Sequence, residues 1–250
     1  MHRFFVSPAQ VGEQFITVAG EDVKHISKVL RLREGDEIVL CDGDCTEYRA
    51  EITSLEKNEV TARILEKSAS LTEPSVQLTI FQGLPKAGKL ETVIQKGTEI
   101  GVSRFVPFDC SRAVVKPWSA QDDKCVRYQR VALEAAKQSR RGRVPVVAAP
   151  VKFAALCEQA GAQELALVAW EDEHALSLKQ ALRQAKAEGK KLARIAVVIG
   201  PEGGISSEEA KALKAAGALP VSLGRRILRT ETAGMAAAAM ILYEMDEMEP

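Results

Sequence analysis

The stretch Arg194-Ile-Ala-Val-Val-Ile-Gly-Pro-Glu-Gly-Gly-Ile-Ser-Ser-Glu-Glu209 decides the class of fold. Its first six residues, Arg194–Ile199, form a short apolar run that ends in a turn, the mark of a strand buried on both faces. Its end carries a capping box, Ser206 to Glu209, which opens a helix over Ser206–Ala216. Between them lie Gly200, Pro201, Glu202, Gly203 and Gly204. Glycines there allow positive φ or a close approach of backbone to a ligand. The turn sits at the carboxyl end of a strand, where open α/β sheets bind ligands. It is not a G-x-G-x-x-G loop, because Pro201-Glu202 gives a different turn, and a plain connecting turn is the bland alternative.

The same alternation extends outward on both sides. Strands are expected at Val76–Gln82, Arg104–Phe108, Val144–Val147, Leu165–Trp170 and Leu219–Leu223. Helices are expected at Leu90–Ile100, Trp118–Arg140, Phe153–Gln159, Leu176–Glu188 and Glu231–Met245. Strands alternating with helices imply an α/β domain with a parallel sheet covered on both faces. The first 70 residues follow another pattern. Short runs at His2–Val6, Gln14–Val18, Asp36–Cys41, Glu47–Ser54 and Glu59–Leu65 read as strands of a small β-barrel-like module. One helix, Asp22–Leu32, is expected among them from Val23, Ile26, Val29 and Leu30. The polar, Pro-containing stretch Lys67–Ser75 reads as linker. The domains are therefore 1–70 and 76–250, with 71–75 between them.

Composition excludes several classes. The chain has 250 residues, 46% hydrophobic and 27% charged, the balance of an ordinary globular protein. No apolar stretch approaches the roughly 20 residues of a membrane span, and the apolar run after Met1 is too short for a signal peptide. Five cysteines without a C-x-x-C suggest reduced, mostly buried thiols in a cytoplasmic protein, and the three scattered histidines suggest no metal site. Net charge is zero, yet Arg112–Arg143 holds nine basic residues against three acidic ones. Such a stripe is either the footprint of a polyanion or a solvated helix face.

Two further motifs carry candidate chemistry. Gly83-Leu-Pro-Lys-Ala-Gly-Lys-Leu90 has the spacing and setting of a phosphate-binding P-loop. Against that reading, Leu90 stands where Ser or Thr would hold Mg²⁺, and Pro85 removes an N–H from the loop. Leu223-Gly-Arg-Arg-Ile-Leu-Arg-Thr-Glu-Thr-Ala-Gly234 places Arg225, Arg226 and Arg229 after a strand, with Thr230 as expected N-cap of the last helix. Arginines beside a glycine turn suit an anionic substrate or a developing oxyanion. The Ile227-Leu228 pair inside the loop suggests partial burial.

Together, Ile199-Gly-Pro-Glu-Gly-Gly204 and Leu223-Gly-x-x-Ile-Leu-Arg-Thr-Glu-Thr-Ala233 resemble the RsmE-type 16S ribosomal RNA uracil N3-methyltransferases, of the SPOUT class. Further matches are His2-Arg3-Phe4-Phe5, His25 with Val29-Leu30-Arg31 and Gly35-Asp36, Lys96-Gly-Thr-Glu-Ile-Gly101 and Glu134-Ala-Ala-Lys-Gln-Ser139. The resemblance covers essentially the whole chain in order.

The resemblance implies a PUA-like barrel, then a SPOUT-like α/β domain with a deep trefoil knot, and a homodimer. The all-round apolar Gly234–Leu242 fits a helix buried against a core and a partner. It implies S-adenosylmethionine as cofactor, held by backbone groups around Ala169, Ile199, Gly200, Pro201, Glu202, Gly203, Gly204, Leu223, Gly224, Ile227 and Leu228. The substrate would be 16S rRNA within the 30S subunit, with no membrane and no metal. Arg229 is the first candidate to stabilise the uracil anion, with Arg225 or Arg226 on O4 or a phosphate. RNA contacts are expected from Arg3, Lys24, Lys28 and Arg31, and from Arg127, Arg130, Arg140 and Arg141. Lys24, Lys28 and Arg31 fall at i, i+4 and i+7, one face of a helix. A non-catalytic RNA-binding protein is the rival from another class; cofactor binding separates the two.

Overall fold

A computed structural model describes residues 1–86, 88–189 and 191–249. The chain divides into two compact units, Met1–Glu73 with Ala136–Val144, and Pro74–Ala135 with Pro145 onward.

The first unit holds β1 (His2–Phe5), β2 (Phe15–Ala19), α1 (Glu21–Lys24), β3 (Glu37–Cys41), β4 (Thr46–Leu55) and β5 (Glu59–Ala69). They form one sheet in the order β1-β3-β4-β5-β2, parallel only between β1 and β3. No ladder joins β1 to β2 among the described residues, so the hydrogen bonding does not close into a ring. The alternate positions Ile38 and Leu40, Ala50 and Ile52, and Val60 and Ala62 point to one buried face, where Phe4, Ile16 and Ile26 complete the core. This is the period-2 burial that the sequence alternation encodes.

Three expectations change here. The helix expected over Asp22–Leu32 is one α turn, α1, continued by a π-helical turn at His25–Val29. Arg31 follows in a left-handed conformation, φ 55°. The wider turn breaks the 3.6-residue period, so Lys24, Lys28 and Arg31 are all exposed but do not line one α-helical face. The linker also starts later, because β5 continues to Ala69 in register with Thr46.

The third change concerns two arginines assigned to RNA. Arg141 is 3% exposed; its Nε and Nη2 donate to Glu73 at 2.7 Å each, and the Gly142 and Arg143 N–H groups donate to the same carboxylate. Arg3 donates from both terminal nitrogens to Glu47, at 2.8 and 2.9 Å, and also to Cys41 Sγ and the Arg141 carbonyl. Both guanidiniums are structural forks inside the unit. They hold Ala136–Val144, which is remote in sequence, as part of it.

The second unit has six strands: β6 (Gln77–Gly83), β7 (Arg104–Phe108), β8 (Val146–Val147), β9 (Leu165–Ala169), β10 (Arg194–Ile199) and β11 (Leu219–Val221). All pair in parallel, in the order β11-β9-β10-β6-β7-β8. The central strands are buried almost throughout, as a doubly covered parallel sheet requires. The covering helices are α2 (Lys89–Ile100), α3 (Asp123–Gln138), α4 (Phe153–Gly161), α5 (Leu178–Ala187), α6 (Ser207–Ala215) and α7 (Thr230–Glu244). The helix expected from Trp118 begins only at Asp123, because the Asp122 carboxylate accepts the Lys124 N–H and starts the helix there. It stops at Gln138, before Arg140 turns left-handed at φ 60°.

After β10 the chain passes over β9 to reach β11 at the edge. From that edge it returns to the middle, where α7 packs on α2, β6 and β10. This return brings the loop after β11 onto the loop after β10. All five cysteines are free, and burial pushes the Cys41 and Cys110 thiols up to about 11. No helix among the described residues is long and apolar enough to cross a membrane.

Candidate functional site

The loops at the carboxyl ends of β9, β10 and β11 enclose a cavity of about 610 Å³. That lies within the roughly 300–1,000 Å³ typical of small-molecule sites. From the β9 loop come Ala169, Trp170, Glu171 and His174; from the β10 loop, Ile199, Gly200, Pro201, Glu202 and Gly204. The β11 loop contributes Leu223, Gly224, Arg225, Arg226, Ile227, Leu228 and Arg229. Every residue assigned to cofactor or catalysis from sequence therefore meets at one place, with one exception.

That exception is Gly203, which does not line the cavity. A Cβ on Gly203 would lie 2.9 Å from Arg112 Cβ and 3.2 Å from the Arg112 carbonyl oxygen. Its hydrogen side chain is needed to pack against Arg112. Arg112 in turn donates from Nη1 to the Gly203 carbonyl at 2.9 Å. Gly200 shows the internal tightness of the turn. A Cβ there would come within 2.8 Å of the Gly204 carbonyl carbon and 3.0 Å of the Ile205 nitrogen.

Thr230 is not the N-cap. Arg229 takes that position with extended backbone (φ −65°, ψ 151°) and no side-chain cap bond. Thr230 is the first helical residue, and its buried Oγ1 donates to the Gly200 carbonyl at 2.6 Å. The same oxygen accepts from Gln82 Nε2 at 2.8 Å, and Gln82 is fully buried at the end of β6. This chain of bonds fastens the start of α7 to the turn after β10. Replacing Thr230 with Val leaves two buried polar groups without this partner. We expect a loss of about 1–3 kcal/mol in stability. It should be read as a lower urea midpoint at unchanged slope. An unchanged midpoint would show that the hydroxyl ties nothing together.

The carboxylates near the loop are already engaged. Lys89 Nζ lies 2.9 Å from Glu202 Oε1 and 3.3 Å from Glu231 Oε2, and the Lys86 N–H also donates to Glu202. Its hydrogen bond to Glu202 holds the Lys89 ammonium above the ordinary lysine range, against the opposing effect of burial. Burial pushes the Glu202 carboxyl up, but the Lys89 hydrogen bond, backbone N–H donors and the Lys89 charge outweigh it and hold the group low. By contrast, Arg225, Arg226 and Arg229 are exposed and make no side-chain hydrogen bond or ion pair among the described residues. A carboxylate brace for Arg229 is therefore not what the structure uses.

The Ile227-Leu228 expectation is half corrected. Leu228 is partly buried, whereas Ile227 is 85% exposed. The P-loop reading finds no support in the geometry. Leu90 is buried at 3% exposure, Lys89 is held by two carboxylates, and Ala87 lies outside the described residues. Sequence reasoning has Lys89 only as the lysine of the P-loop candidate and gives no role to Gln82 or His174, although Lys89 and His174 line the cavity and Gln82 bonds Thr230. A polar residue closing an apolar strand was the available sign for Gln82.

Residues 72–242 match a family model described as RNA methyltransferase domain, and residues 18–65 match an RNA methyltransferase PUA domain. Among relatives, the Ribosomal RNA small subunit methyltransferase E of Bacillus subtilis is 35% identical over 254 residues, covering 98% of each chain. The protein of the same name from Synechocystis is 35% identical over 241 residues, covering 96% of this chain and 77% of that one. A crystal structure of a Ribosomal RNA small subunit methyltransferase E from Neisseria gonorrhoeae bound to S-adenosyl methionine superposes with a TM-score of 0.84. It is 27% identical and covers 97% of each chain.

Proposed function

The chain belongs to the RNA methyltransferase family, and from that premise we propose that it transfers a methyl group from S-adenosylmethionine to N3 of a uridine in the decoding region of 16S ribosomal RNA. The observation that carries this reading is one cavity walled by three strand-end loops and rimmed by three guanidiniums that have no partner among the described residues.

The residues present fit the cofactor. Ile199, Leu223 and Leu228 offer apolar walls for a nucleoside, and the turns offer main-chain polar groups. Glu171 supplies negative charge compatible with a sulfonium. When bound, S-adenosylmethionine supplies an electrophilic methyl group. The chain itself must then present an N3 that can attack it. Uracil N3 carries a proton at neutral pH; this proton passes to solvent water, and the anion left behind spreads charge over O2 and O4. Arg229, fixed at the start of α7, can place a planar pair of donors on that anion. Arg225 or Arg226 can hold O4 or a phosphate. Catalysis here is placement and electrostatic stabilisation. The low-lying Glu202, saturated by Lys89, is poorly suited to take the N3 proton.

The reading includes a knotted homodimer acting on the assembled 30S subunit in the cytoplasm. The return of the chain from β11 to the sheet centre is in keeping with a threaded C-terminus. The outward face of α7 presents Met240 and Tyr243, 39% and 70% exposed, in keeping with a covered surface in a dimer. The test incubates the protein with S-adenosylmethionine carrying a labelled methyl group and either naked 16S RNA or isolated 30S subunits. Label in N3-methyluridine is expected, mainly from 30S. No transfer to either substrate overturns the reading.

The RNA-facing cations give a second expected result. Lys24, Lys28 and Arg31 remain exposed, as do Arg127, Arg130 and Arg140, of which Arg127 is paired with Glu91. Changing Lys24, Lys28 and Arg31 together to Glu should weaken RNA binding and flatten its salt dependence. The logarithmic slope should fall by about 0.7–0.9 for each phosphate that is no longer neutralised. Cofactor affinity should stay unchanged. An unaltered salt slope would make these residues a solvated surface.

A further inference from the structure

Ile227 is the anomaly of the site. It is a large β-branched hydrocarbon, 85% exposed, in a loop whose other long side chains, Arg225, Arg226 and Arg229, are cationic and without a partner among the described residues. Its neighbour Leu228 is partly buried, whereas Ile227 stays in water among cations. Ile227 stands out at the rim of the cavity between groups suited to phosphates.

The proposed chemistry supplies a use for such a residue, and this inference rests on that reading. N3 lies on the pairing edge of uracil, so the target base must leave its neighbours to enter the cavity. Its departure opens a gap between stacked bases. Proteins that unstack nucleic acid insert apolar wedges, Ile among them, into such gaps. We infer that Ile227 is this wedge: it fills the place that the target uridine vacates while the flanking arginines hold the RNA backbone. It acts on the RNA and is a positioning residue for the transfer. The surrounding charge favours a polyanion as the group that covers Ile227, over a second apolar surface. The contact forms only with RNA present, so the free protein keeps the side chain in water at a modest hydrophobic cost.

The experiment compares wild type with Ile227→Ala, Ile227→Ser and Ile227→Met. Single-turnover methylation of 30S subunits is measured at saturating cofactor. Cofactor affinity without RNA is measured by calorimetry, and oligomeric state by sedimentation. The wedge requires Ile227→Ala and Ile227→Ser to lose about tenfold or more in transfer rate. Ile227→Met, still apolar and of similar length, should keep the rate within about twofold. Cofactor affinity and oligomeric state should not change in any variant. A fall in cofactor affinity that follows side-chain size would make Ile227 a cover for the cofactor and overturn the inference. A change in oligomeric state would make it an interface residue, with the same consequence, and so would full activity in Ile227→Ser. If wild type transfers no methyl group, the function reading itself fails; if only the variants leave the rate unchanged, the wedge alone fails.

Discussion

Arg229→Lys is expected to lower single-turnover methyl transfer by on the order of 10²–10³, the usual consequence of removing one preorganised oxyanion donor. Arg229 is held rigidly at its backbone, because its carbonyl accepts the Ala233 N–H at 2.8 Å and the next residue is bonded to Gly200. Its guanidinium has no competing partner among the described residues, since Glu202 and Glu231 face Lys89. The fork is therefore free to meet an anion. Lysine keeps the charge but loses the planar geometry. Cofactor affinity should change little, because the interaction forms with the uracil anion. The deficit should shrink as pH rises, because N3 then ionises without help. A deficit that is flat across pH, with a lowered melting temperature, would make Arg229 a brace for the loop.

Arg141→Ala is expected to cost about 3–5 kcal/mol, the range for removing one partner of a buried ion pair. The Arg141–Glu73 pair is bidentate at 2.7 Å, with side-chain exposures of 3% and 13%. Among the described residues, truncation leaves Glu73 with the Gly142 and Arg143 N–H groups, and frees the segment that returns to the first unit. The unfolding transition of the chain should move down by roughly 10 °C, at about 2–4 °C per kcal/mol for a chain this long. Arg140→Ala is the control. Arg140 is exposed next door, so its loss should weaken RNA binding and leave the transition in place. An Arg141→Ala protein that melts normally but binds RNA weakly would restore Arg141 as a nucleic-acid contact.

The contrast between these arginines shows how far residue type carries an argument. Arg3, Arg141 and Arg229 look equally basic along the chain. Two are spent on Glu47 and Glu73, which lie 44 and 68 residues away in sequence. No local pattern announces a partner at that distance. The same holds for Thr230. A hydroxyl before Glu231 at the start of a helix reads as a cap, yet its bond goes 30 residues back, to Gly200. Gly203 belongs here too. Two adjacent glycines in a ligand turn look alike, but Gly204 lines the cavity and Gly203 faces Arg112.

What the sequence determined by itself was periodic or local. Alternation of strands and helices from residue 76, two-residue burial in the first unit, the Ser206 capping box and the turns after β10 and β11 depend on neighbours a few residues apart. Short-range sterics and burial set them, so they are written in short-range pattern. The tertiary structure decided which loops share a cavity, which cations stay free and which apolar side chain stays in water. It also decided that Ala136–Val144 belongs with the first unit. Those outcomes depend on pairs of groups brought together only when the chain returns on itself. Desolvation and ion pairing act at a few ångströms whatever the separation along the chain. A charge thus keeps or loses its freedom according to what the fold places beside it.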